Sequence, residues 1–183
     1  MCYDSSMALR QNDNKLDQVA PFVIARTFAN ELGATKLNKV LWLADIIAFR
    51  ERSDSITGIE NYKRLPHGPV PIQITSAIRN LKSANMIAEV SNPTPIGNRR
   101  EFVSLIEPSI DCFSGSDIDI IHRAIEFITP LSAKKISEIT HDSYWEEVPE
   151  NGDMAPSAAS LVLQDFDESA ISWAEKELAE ELS

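Results

Sequence analysis

Cysteine is almost missing from this chain: Cys2 and Cys112 are the only two in 183 residues, which excludes a disulfide framework. Histidine is as sparse, and His67, His122 and His141 have no metal-ligand spacing, so no structural zinc site is expected. Long hydrophobic runs are lacking too. The longest apolar window, residues 40–49, is interrupted by Asp45 and falls far short of the roughly 20 residues that span a bilayer. The opening MCYDSSMALRQNDNKLD has neither a basic n-region nor an apolar h-region, so a cytoplasmic protein with no membrane partner is expected. A Gly-rich phosphate loop, GxSxG and HExxH are all absent. No catalytic residue, cofactor or metal is expected from the pattern.

Basic charge is short in one part only. Residues 1–110 carry 13 Lys/Arg against 11 Asp/Glu, whereas residues 111–183 carry 4 against 17, so the net charge of −11 belongs to the C-terminal part. A protein that binds nucleic acid by neutralising phosphates presents a basic face, and this balance argues against generic DNA or RNA binding. An acidic surface suits a basic partner or maintains solubility.

What the chain does have is helical periodicity around a stiff bend. With 43% hydrophobic residues, one ordinary domain with a real core is expected: residues 1–15 as a flexible tail and residues 16–183 as the domain. Leu16, Val19, Ala20, Val23, Ile24, Phe28 and Leu32 recur at three and four, predicting a helix that Gly33 stops. A second helix, capped by Thr35, carries Leu37, Val40, Leu41, Ala44, Ile47 and Ala48 on one face and Trp42, Leu43, Ile46 and Phe49 on others, which makes it the centre of the core. Next comes SITGIENYKRLPHGPVP, with a turn at Thr57-Gly58, a short strand in IENYKRL, and a rigid bend where Pro66, Pro69 and Pro71 exclude regular helix or central strand. A helix over residues 72–85 follows, with Pro69 or Pro71 available for its first turn. MIAEV and REFVSLI read as strands joined by a long polar tip, SNPTPIGNR. Ser116 and Ser132 are candidate caps for two further helices, and Asp142 or Ser143 for a short third one. The terminal DESAISWAEKELAEEL is an acidic amphipathic helix with Ile171, Ala174, Leu178 and Leu182 on one face. The pattern is α+β, predominantly α-helical, a single compact domain with a winged-helix-like β-hairpin.

Three polar positions inside this frame stand out. Asp45 interrupts the core helix, and a buried carboxylate must be paired or hydrogen-bonded; it fixes a neighbouring loop, contacts a ligand or lies on the helix surface. His141 and Trp145 are four apart and would share a helical face, as an aromatic contact for a partner or as a packed core pair. His67 lies in the bend, beside the Gly68 that lets the backbone turn.

The segments KLNKVLWLADIIAF, SITGIENYKRLPHGPVP and ISEITHDSYW resemble the Panacea antitoxin family, with its SocA-like and phage-associated GepA-like members. That family's K-L-x-K-L-L-Y-x-x-D helix corresponds to Lys36, Leu37, Lys39, Leu41, Trp42 and Asp45. Its I-T-G-x-x-Y strand corresponds to Ile56, Thr57, Gly58 and Tyr62, and its G-P-V bend to Gly68, Pro69 and Val70. Its S-x-x-T-H segment and downstream Trp correspond to Ser137, Thr140, His141 and Trp145. The resemblance extends over about residues 18–150, with Trp42 where Tyr is usual and His67 where Tyr commonly precedes Gly-Pro-Val.

The resemblance implies a non-enzymatic protein of a bacterial or phage toxin-antitoxin system that binds and neutralises a cognate protein toxin. Some relatives are proteolytic adaptors, which makes a AAA+ protease a second candidate partner. On this reading Tyr62, His67, Pro69 and Trp145 are the expected partner-binding residues, and Asp45, Gly58, Gly68 and His141 shape the motif. A rival reading is a winged-helix-like transcription regulator with residues 72–85 as probe helix and Arg99 and Arg100 on the wing. An enzyme is third, with Asp45, His67 and His141 as its suspects.

Overall fold

Nearly everything packs around one helix. The computed structural model of the chain describes residues 15–28, 32–94 and 97–162. Helix α2 (Ala34–Arg52) touches α1 (Leu16–Ala25), the later helices α4 (Gly115–Ile128), α5 (Ala133–Thr140) and α7 (Pro156–Val162), and two strands. Its buried side chains include Leu37, Val40, Leu41, Trp42, Leu43, Ala44, Ile46 and Ala48, apolar on more than one face as expected. A helix surrounded on all sides must be apolar nearly all round, which makes the polar Lys39 and Asp45 within it costly to bury. Ser53, in the left-handed conformation at φ 57°, ends α2 by returning its N–H to the Phe49 carbonyl.

The bend of residues 62–71 is a β-hairpin. Strand β1 (Tyr62–Leu65) pairs antiparallel with β2 (Gly68–Pro71) on one side and with the short β5 (Asp153–Met154) on the other, in the order β2-β1-β5. Arg64 gives its N–H to the Gly152 carbonyl and takes the Asn151 N–H. Lys63 and Leu65, which alternate with it, therefore face β2 opposite Val70 and Gly68. The donors missing at Pro69 and Pro71 consequently fall on the outer edge of the sheet, where a strand tolerates proline. Both prolines belong to this edge strand and neither enters α3 (Ile74–Ser83), whose first residue follows Gln73.

The second sheet is a long wing. Strands β3 (Ile87–Thr94) and β4 (Gly97–Ser104) pair through eight residues each, so most of the segment expected to be a loop is ladder. Asn92, Pro93 and Asn98 obey the pairing, and Lys82 and Arg100 both bond Glu89, whose carboxyl these bonds hold down at about 2. A core α-helix bundle with two small antiparallel sheets is the α+β fold expected.

Three helix boundaries differ from the sequence reading for local reasons. Helix α1 stops at Ala25 instead of running to residue 32: the Thr27 hydroxyl donates back to the Val23 and Ile24 carbonyls, and Phe28 is exposed. Gly33, in extended conformation, precedes α2, so Thr35 lies inside the first turn and is not its cap. Helix α4 is capped by Ser114, not Ser116, because Asp117 supplies the reciprocal half of a capping box. Ser132 caps α5, and Asp142 caps α6 (Ser143–Glu147), as expected. The tail of residues 1–14 and the terminal amphipathic segment from residue 163 onward lie outside the described residues.

Candidate functional site

Two polar clusters on α2 hold the segment between residues 55 and 71, and they lie six positions apart. The first centres on Asp45, which is fully buried at 0% exposure. Its Oδ1 accepts the Thr57 N–H at 2.9 Å and the Ser55 hydroxyl at 3.2 Å; its Oδ2 accepts the Thr57 hydroxyl at 2.5 Å and the Tyr62 hydroxyl at 2.7 Å. Burial pushes the carboxyl above the ordinary aspartate range, against the pull of those four bonds. Of the roles open to Asp45 in the sequence, the loop-fixing one is realised. Gly58 turns at φ +72°, and its N–H donates to Ser55 Oγ at 2.8 Å. The loop is thereby closed on itself as well as on α2.

Tyr62 is the far end of the same cluster. It has 0% exposure, and its ring meets Trp42 edge-on at 4.9 Å between centroids, one helical turn before Asp45. Burial and the neighbouring Asp45 hold its phenol well above the usual range. Tyr62 and Pro69, two of the expected partner-binding residues, are both buried in the closed hairpin, Tyr62 with its hydroxyl on Asp45. His67, in the turn between the strands, is exposed.

The second cluster centres on Lys39, which is 1% exposed. Its Nζ donates to the Thr140 hydroxyl, which itself donates to the Ile136 carbonyl at 2.9 Å. Lys39 makes no ion pair with a carboxylate among the described residues. Burial lowers its amine to about 7, with Asp142 pulling the other way. Gly68 lies directly over it at φ +108°: a Cβ there would fall inside the van der Waals shell of Lys39 Nζ and 3.4 Å from Thr140 Oγ1. Glycine is favoured at position 68 by the backbone angle, and a side chain there would also displace the amine beneath it.

At the rim of this cluster the rings of His141 and Trp145 stack 3.7 Å apart and 8° from parallel, although the helix breaks between them at His141 and Asp142. The Arg64 guanidinium lies 3.6 Å from the Trp145 ring centre, and its Nε donates to the Trp145 carbonyl at 2.8 Å. Cation–π contact and hydrogen bond together pin β1 to α6. Burial first, and then the charges of Lys39, Arg64 and His67, depress the His141 imidazole. Asp142 is pushed up by burial. Trp145 is half-buried, so it serves packing and leaves only part of its surface for contact.

Asp45, Gly58, Tyr62, Gly68, Pro69, His141 and Trp145 are thus brought into one continuous seam along α2, with His67 at its exposed tip. Lys39, Thr140 and Arg64 belong to it as well and were given no role from the sequence, and Asp142 joins them beyond its expected place as a helix cap. A signal for Lys39 was present: it shares the helical face of Trp42, Leu43 and Ile46, where a lysine is out of place. A separate surface cleft of about 240 Å³ lies between Lys15, Arg52, Ser55, Cys112 and Asp117. It mixes both charge signs, and Arg52 in it is ion-paired with Asp117. Among the described residues no group of His, Cys, Asp and Glu could hold a metal ion, and no helix is long and apolar enough to cross a membrane.

No curated protein and no solved structure matches this chain. A family model does: the one described as antitoxin SocA-like, Panacea domain, matches residues 37–146, more than half of the chain and the whole seam from Lys39 to Trp145. The chain belongs to the family of SocA-like antitoxins that share the Panacea domain.

Proposed function

We propose that this chain is the antitoxin of a bacterial or phage toxin-antitoxin pair, and that it neutralises a cognate protein toxin by binding it, without catalysing a reaction. The observation that carries this reading is that the matched segment, residues 37–146, contains both clusters that brace the 55–71 segment. A braced hairpin meets a partner with little further ordering, which lowers the entropic cost of association. Its exposed face carries His67 in the turn and the partly exposed Arg64 and Trp145 beside it. The acidic balance of residues 111–183 favours a basic partner and speeds its encounter.

The regulator reading is weaker on its own ground. Of the basic residues available to probe helix and wing, Lys82 and Arg100 bond Glu89, and Arg99 bonds Glu101. Three of the four cations already bond one of two carboxylates, Glu89 or Glu101, before any phosphate arrives.

Co-expression with the product of the adjacent gene tests the proposal. The neighbouring product is expected to arrest growth alone and to be harmless with this chain, and the two proteins to co-purify. A neighbouring product that is harmless alone, or toxicity that this chain leaves unchanged, refutes the reading. The toxin's steady-state level then separates the two routes: a fall on co-expression marks delivery to a AAA+ protease, and a constant level marks blockade.

A further inference from the structure

We propose that Lys39 is a proton-operated latch on the β1–β2 hairpin: uncharged, its amine rests under Gly68 and against the Thr140 hydroxyl; charged, it drives the hairpin away from α5. The device goes beyond the antitoxin reading and is measured on the isolated chain.

The geometry leaves the ammonium form nowhere to go. An ammonium carries three donors, and the one acceptor that the described residues give Lys39 is Thr140. Gly68 lies against the amine from above, close enough that a Cβ there would meet Nζ, and with Lys39 only 1% exposed hydrating the charge requires a covering element such as β2 to move. A desolvated cation without a carboxylate in contact is among the most expensive things a fold can hold. The element that can yield is β2, an edge strand paired with β1 alone.

The surroundings reinforce the effect. From the hairpin, Arg64 on β1 and His67 in the turn face the seam; from the other side, His141 faces it at the end of α5, and Asp142 and Glu146 at the start of α6. Asp142 is the one carboxylate that acts on Lys39, and it is committed to capping α6 through the Trp145 N–H at 2.8 Å. The charges facing His141 from Lys39, Arg64 and His67 are all of one sign and oppose protonation there. A proton taken up by Lys39 therefore joins a seam whose neighbouring charges on His141 are already of the same sign.

The pH profile follows by linkage. In the closed hairpin the amine titrates at about 7, and from the open state at its ordinary 10.5. Between those limits the open form holds a proton that the closed form lacks, so the opening constant falls about tenfold per pH unit as pH rises, and is flat below 7. From pH 7 to pH 9 the fall is about 50-fold.

Pulsed amide hydrogen exchange at pH 6, 7, 8 and 9, corrected for intrinsic rates, reads the opening of residues 62–71 directly. The wild-type hairpin is expected to gain about 50-fold protection between pH 7 and 9, while those amides of the wing of residues 87–104 that exchange by local opening, faster than global unfolding allows, stay flat. Lys39→Met should abolish the gain. Gly68→Ala, which cannot seat the amine beneath it, should leave the hairpin poorly protected at every pH. A flat wild-type profile, an equal gain in the wing, or an unchanged slope in Lys39→Met overturns the latch. The comparison of the two hairpins within the wild-type chain decides the matter even if a variant fails to fold. None of these outcomes bears on whether a toxin is bound.

Discussion

Removing the Asp45 carboxylate should cost more stability than any other single polar deletion in the described chain. Its two oxygens satisfy four donors, and all four belong to the loop and strand that follow α2: the Ser55 hydroxyl, the Thr57 N–H and hydroxyl, and the Tyr62 hydroxyl. Each buried donor left without a partner costs about 1–3 kcal/mol. Hydroxyls can turn to another acceptor, but the Thr57 N–H cannot. Counting that N–H in full and the three hydroxyls near the lower limit gives about 4–6 kcal/mol for Asp45→Ala, a large fraction of the roughly 5–15 kcal/mol that holds a domain together. Asp45→Asn should cost less, about 1–3 kcal/mol, because its carbonyl can keep the Thr57 N–H while its amide donates to the two hydroxyls. For a chain of this length 1 kcal/mol moves the midpoint by about 2–4 °C, so thermal unfolding should fall by at least about 8 °C for Ala and clearly less for Asn. An Asp45→Ala protein within about 1 kcal/mol of wild type would show that the loop is held elsewhere.

Two further outcomes follow from the second cluster. Lys39 has a folded-state pKa, about 7, below its ordinary 10.5; between those values the unfolded chain binds a proton that the folded chain does not, so stability must increase with pH. The gain is about 1.4 kcal/mol per unit, or about 2–3 kcal/mol from pH 6.5 to 9, and urea titrations at the two pH values should show it in wild type but not in Lys39→Met. Trp145→Ala removes the stack on His141 and the surface under Arg64, and should destabilise by about 1–3 kcal/mol. His67→Ala, at an exposed turn position, should stay within about 0.5 kcal/mol of wild type; equal losses for the two in chemical denaturation would contradict the assignment of Trp145 to packing.

Much of the architecture is local and was readable. The apolar wrap of α2 follows from residues one turn apart, the caps at Ser132 and Asp142 from side chains that reach their own backbone, and the stiffness of residues 66–71 from proline and glycine geometry. Where the reading failed, a competing local bond was responsible: Thr27 turning back on α1, and Asp117 completing a capping box from Ser114. The wing was underestimated because Asn, Pro and Gly suggest a loop when read singly, whereas the pairing of β3 with β4 carries them as a ladder.

The family resemblance was legible in short motifs, but what each motif residue does depends on partners remote in sequence. Asp45 reaches Tyr62 across 17 positions, and Lys39 reaches Thr140 across 101. Sequence alone determined which segments are helical, where the chain bends and that Asp45 needed an explanation, because these depend on propensity, periodicity and the cost of a charge inside an apolar helix. Only the tertiary structure decided that Tyr62 turns inward, that Gly68 roofs a lysine and that Arg64 meets Trp145. Burial and hydrogen bonding are properties of the neighbours a residue acquires on folding, and no local pattern names those neighbours.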